Sequence, residues 1–159
     1  MVPSTFNNKD FTKPITRSEF AAVAVKLYEK ITGETVDPVV VNPFVDTDDE
    51  YVLKAYNLGI TVGTSENEFG NGEITREQMA IMMTRALAKA GIDVSVDLDK
   101  VEKLEDDDKI HSWGKPAVYY MFSIGAIRGI GNNNFGAIGN ASIEQALLIS
   151  TRSAEKFGK

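Results

Sequence analysis

The residues with the most chemical potential in this chain are two arginines that sit at the same place in a repeated pattern. Arg17 follows Thr16 in Ile15-Thr16-Arg17-Ser18-Glu19, and Arg76 follows Thr75 in Ile74-Thr75-Arg76-Glu77-Gln78. A guanidinium at the start of a helix opposes the helix dipole by about 0.3–1 kcal/mol. Carrying that handicap twice implies a partner for the charge. Two partners fit: a ligand carboxylate gripped by the arginine fork together with the free amides of the helix start, or an internal ion pair with an acidic turn such as Asp46 or Asp106. Trp113, the only tryptophan, offers an indole face that a sugar ring can stack on, or alternatively a core side chain. The lone histidine, His111, lies two residues away and reads as a plain surface residue.

The rest of the inventory excludes whole classes of chemistry. The absence of cysteine removes disulfides, thiolate metal sites and cysteine nucleophiles, and a single histidine removes multi-histidine metal sites. Asp46, Asp48 and Glu50 alternate as in a calcium loop, but Tyr51 and Asn57 stand where such a loop needs glycine and glutamate. These acids, like Asp106-Asp107-Asp108, read as turn and cap residues at the start of the following helix. Gly129-Ile130-Gly131 lacks the strand before it and the Gly-Lys-Ser/Thr after it that a phosphate loop requires. No metal, no cofactor and no catalytic residue is expected. The net charge of −6, with basic residues scattered along the chain, speaks against nucleic acid as a partner. No apolar run is long enough for membrane insertion, and Met1-Val2-Pro3-Ser4 does not begin a signal peptide.

The elements that must position these residues are helices with marked beginnings. Thr16 with Glu19, Thr75 with Gln78 and Ser142 with Gln145 each form a capping-box pattern. Apolar stripes follow at helical spacing: Phe20, Val23, Leu27, Ile31; then Met79, Met82, Met83, Leu87; then Ala146, Ile149, Phe157. Gly33, Gly91 and Gly158 mark the ends. The caps are 59 and then 67 residues apart. Ahead of the second cap stand Phe44-Val45-Asp46, a short helical stretch, Gly59, Gly63 and Phe69. Ahead of the third stand Asp106, another helical stretch, Gly125, Gly129 and Phe135. An insertion of about six residues around Lys109 to Gly114 explains most of the difference in length. Tyr119 and Tyr120 are adjacent in that helical stretch, so one of them is expected to face solvent.

Each unit therefore reads as an acidic turn, a first helix, a glycine-bounded loop and a capped second helix. Such a pair cannot bury both of its apolar faces alone, so units must stack. The expected architecture is one mostly α domain over 1–159, in three units: 1–36 as the second half of a first unit, 37–92 and 93–159. The stretches 34–42 and 92–102 read as linkers, with the valines near 39–41 in short extended segments.

This outline resembles the S-layer homology family, through Phe44-x-Asp46, Gly59-Ile60, Gly63, Phe69 and Ile74-Thr75-Arg76-Glu77, and again through Asp106, Trp113, Gly125, Gly129, Phe135 and Ser142-Ile143-Glu144. The resemblance implies a pseudo-threefold helical bundle at the bacterial cell surface whose grooves bind an anionic secondary cell-wall polysaccharide. It implies a noncatalytic anchoring role, outside the cell, on the wall or S-layer. The residues it points to are Arg17, Arg76, Asp46, Asp106, Trp113, Gly63 and Gly129, with Ile143 standing where the third arginine would be. The alternative is a protein-interaction or self-association module that binds no glycan.

Overall fold

The computed structural model describes residues 2–129, 131 and 133–158. It is mostly helical, and among the described residues no β-strand forms beyond isolated bridges. Five α-helices follow one another: α1 (Arg17–Thr32), α2 (Glu50–Leu58), α3 (Arg76–Lys89), α4 (Lys115–Ser123) and α5 (Ile143–Phe157). Short 3-10 turns occupy Ser4–Phe6 and Asp107–Lys109.

The three expected capping boxes are all present in both halves. The hydroxyls of Thr16, Thr75 and Ser142 accept from the amides of Glu19, Gln78 and Gln145, whose side chains return to the cap amides. Each box stabilises its helix by about 1 kcal/mol. The ends are less uniform. Gly33 caps α1 in the left-handed conformation at φ 77°, whereas α3 gives way at Ala90, just before Gly91, and Gly158 leaves α5 in an extended conformation.

The three capped helix starts meet in a closed ring of main-chain hydrogen bonds. The Ile15 amide donates to the Ala141 carbonyl (2.9 Å), Ala141 to Ile74 (2.9 Å) and Ile74 back to Ile15 (3.2 Å). All three residues are fully buried. A second tier runs in the opposite sense: Arg17 donates to Gly72, Arg76 to Gly139 and Ile143 to Lys13, each at 2.9 Å. Buried backbone groups must find partners, and here each helix start is satisfied by the loop ahead of another. The core grows outward from this ring through Phe20, Leu27, Met83, Leu87 and Ile149, with Phe69 and Phe135 sealing the loops that precede α3 and α5.

Packing crosses the expected unit boundaries. Helix α2 lies against α1 and α4 against α3, while α1 also meets α3 and α5. Tyr119 and Tyr120 are both buried, contrary to the expectation that one faces solvent. Tyr119 can go inward because its hydroxyl donates to Asp107 Oδ1 (2.6 Å) and accepts from the Leu104 amide (3.1 Å), so burial leaves no polar group unmet. The stretches 34–42 and 92–102 are irregular, and Val40 and Val41 stand exposed.

Candidate functional site

Arg17 and Arg76 occupy the first turns of α1 and α3, and no carboxylate pairs with either among the described residues. Arg17 instead donates from Nη2 to the Val62 carbonyl (2.7 Å), with its guanidinium carbon 5.1 Å from the centre of the Phe69 ring. Arg76 donates from Nη1 to the Gly136 carbonyl (3.2 Å). The Nε of each is buried without a hydrogen-bond partner among the described residues. Both guanidiniums are thus held by neutral groups and keep an uncompensated positive charge. Burial, and then the neighbouring Arg85 charge, lower the pKa of Arg17 below its ordinary value.

The expected ion pair with the acidic turns does not form, because those carboxylates are engaged elsewhere. Asp46 accepts from the amides of Phe69 (2.8 Å) and Gly70 (2.9 Å), and Asp106 accepts from Phe135 and Gly136 (both 2.8 Å). Each aspartate clamps the loop that carries the buried phenylalanine. These two bonds hold the Asp46 carboxyl below its usual pKa. Asp46 therefore does not cap the following helix; Asp49 does, accepting from the amides of Tyr51 and Val52.

The free helix-start amides expected to assist the arginines are also in use. The first amides of α1, α3 and α5 feed the loop carbonyls described above. The second ones donate to Asn71 Oδ1, the Ala137 carbonyl and the Phe11 carbonyl. The third belong to the capping boxes. Because three helix starts converge, none is left open to an anion. Recognition of negative charge would fall to side chains.

Those side chains gather in two grooves. The first, of about 280 Å³, is lined by Arg17, the loop Thr61 to Thr64 including Gly63, Gln78 and Arg85 of α3, and Trp113. The second, of about 210 Å³, is lined by Arg76, the loop Ala126 to Gly129, Phe135, and Gln145 and Arg152 of α5. Gln78 and Gln145, and likewise Arg85 and Arg152, are 67 residues apart, the spacing of the caps themselves. Each groove thus joins one arginine from a helix start, one from the middle of a neighbouring helix, and a glycine-bounded loop. Gly63 and Gly129 lie against their own loops so closely that a Cβ on either would collide with backbone oxygen atoms. Arg85 and Arg152 escaped the sequence reading, although their common 67-residue spacing was the signal that would have found them. Ile143, at the position of the third arginine, is buried and offers no charge.

Trp113 is 70% exposed, which settles its position at the surface instead of the core. His111 is not a plain surface residue: its Nδ1 lies 2.7 Å from Glu77 Oε2, and its ring stacks on Trp113 at 4.4 Å between centres and 21° between planes. No group of three or more metal-ligating side chains occurs among the described residues, and no helix there is long and apolar enough to cross a membrane.

A mostly helical domain with paired cationic grooves, built on capped helix starts, is the class that fold and site define. Residues 45–80 match the S-layer homology domain, and over that segment the chain is similar to the family. The chain is 30% identical over 153 residues to an amylopullulanase of Thermoanaerobacterium thermosulfurigenes, a match spanning 92% of this chain and 8% of that protein. It is also 30% identical over 152 residues to the exoglucanase XynX of Acetivibrio thermocellus, spanning 91% of this chain and 13% of that one. The likeness concerns a small part of each relative.

Proposed function

We propose that this chain is a noncovalent anchor that holds its parent protein to an anionic secondary cell-wall polysaccharide outside a bacterial cell. The observation that carries this reading is the recurrence of one groove design: Arg17 with Arg85 and Arg76 with Arg152, each first arginine without a carboxylate partner among the described residues. In an acidic protein such grooves are local sites of positive charge, suited to an acidic sugar substituent that a guanidinium fork can hold by two parallel bonds. Trp113 adds an aromatic wall to the first groove, where a pyranose face can lie. Asp46 and Asp106 act through the loops they clamp, and Gly63 and Gly129 by letting those loops close. The chain then supplies attachment, not catalysis, and reads as three units over 1–36, 37–92 and 93–159 around the main-chain ring.

The test is a pull-down with purified Gram-positive cell walls, before and after removal of their secondary polysaccharide. Wild type is compared with Arg17→Ala, Arg76→Ala and the double variant, each checked for native helicity. Each single substitution removes a charge-assisted contact and is expected to weaken retention about 10-fold, with near-complete loss in the double variant. Retention should also fall with salt. A folded wild-type chain that no wall retains refutes the reading. If the chain instead forms concentration-dependent oligomers without sugar, its role is protein association.

A further inference from the structure

We infer that Glu77 is a positioning residue that docks the six-residue insertion around Lys109 to Gly114 onto α3, so that Trp113, stacked on His111, stands as a wall of the Arg17 groove. The inference rests on the binding role proposed for that groove.

Glu77 is a carboxylate in the first turn of α3 with only 5% of its surface exposed. Burying such a group is costly unless its oxygens are met. Both are met by one residue: Oε1 accepts from the His111 backbone amide and Oε2 faces His111 Nδ1, each at 2.7 Å. Gly114 closes over the same carboxylate, where an added Cβ would stand 2.7 Å from Glu77 Cγ and Oε1. The far side of the insertion is tied down separately by buried Ile110 and by Lys115, whose Nζ bonds Asp107 Oδ2 at 2.8 Å. Between these two anchorages His111 is fixed, and Trp113 lies flat on its ring.

The helix itself does not demand a buried acid here. The corresponding positions of α1 and α5 hold Ser18 and an exposed Glu144, and both helices form with intact capping boxes. What distinguishes α3 is the insertion packed against its start. Glu77 therefore serves the placement of the insertion, 34 residues on in sequence, and through it the aromatic wall.

The experiment uses the full chain with Glu77→Ala, Glu77→Gln and His111→Ala. Acrylamide quenching reads the only tryptophan without any ligand, and binding is measured with polysaccharide released from Gram-positive walls. Freeing Trp113 from His111 uncovers a second ring face, so the quenching constant should rise up to about two-fold in Glu77→Ala and His111→Ala, with polysaccharide affinity about 5-fold weaker. Glu77→Gln, which can still accept from the His111 amide and donate to its Nδ1, should stay near wild type in both readings. Should Glu77→Ala fail to fold, His111→Ala, which keeps the backbone bond to Glu77, decides the matter. Folded variants with unchanged quenching overturn the inference even when wild type binds polysaccharide well. Altered quenching in a chain that binds no polysaccharide upholds the docking role and refutes the anchoring function alone.

Discussion

Replacing Asp106 by alanine tests whether the acidic-turn aspartates serve the fold directly. Asp106 is 5% exposed and accepts two amide hydrogen bonds at 2.8 Å, from Phe135 and Gly136. A hydrogen bond to a charged group contributes roughly 1.5–3 kcal/mol, and a buried donor left unmet costs a similar amount. Losing both bonds should therefore cost about 4 kcal/mol. In a domain of this length that corresponds to a fall in Tm of roughly 8–16 °C. Asp46 makes the same pair of bonds, to Phe69 and Gly70, but at an exposed position. Water can replace its carboxylate, so Asp46→Ala should cost about half as much. Urea unfolding followed by circular dichroism gives both values, with the slope of the transition reporting whether unfolding stays two-state. If Asp106→Ala costs no more than Asp46→Ala, the clamp reasoning is wrong. A polysaccharide affinity lost at either position without loss of stability would also refute it, and would return these carboxylates to direct ligand contact.

Stability should decline as the solution is acidified below about pH 4. Asp46 and Asp107 have folded pKa values below their unfolded ones, through amide bonds at Asp46 and through Lys115 and then Tyr119 at Asp107. Their contribution is complete above the unfolded pKa and is lost as pH falls through the folded value, which a series of unfolding curves from pH 3 to 7 would follow. In hydrogen exchange the amides of Ile15, Ile74 and Ala141 should open only with global unfolding, since each is buried and bonded within the ring. Exchange at these sites as fast as at α2 would contradict that.

Much of the fold was legible because its signals are local. The Thr16, Thr75 and Ser142 caps lie within three residues of their partners, so sequence alone contains both halves of each box. The five helices follow from the same periodicity. Within the grooves, Arg17 and Arg76 stood out because each directly follows a threonine cap, while Arg85 and Arg152 share the 67-residue spacing of the caps but carry no local motif to mark them. Contacts between distant residues were closed to sequence reasoning. Nothing near His111 announces Glu77, and nothing near Asp46 announces the Phe69 and Gly70 amides. The expectation of open helix starts failed for the same reason, since the carbonyls that consume their amides come from loops 55 to 130 residues away in the chain: Gly72 for Arg17, Gly139 for Arg76 and Lys13 for Ile143.

The ring at the centre is made of main-chain atoms only, and this separates what the domain must keep from what it can change. An amide and a carbonyl are offered by every residue type but one, so alanine at 141 closes the circuit as well as isoleucine at 15 and 74. Ile143 can likewise stand where the other helices place arginine, because its amide still reaches Lys13. The groove arginines ride on a frame indifferent to their identity. Such a frame can lose, gain or retune a groove by ordinary point substitution, and only proline at a ring position would break the circuit outright.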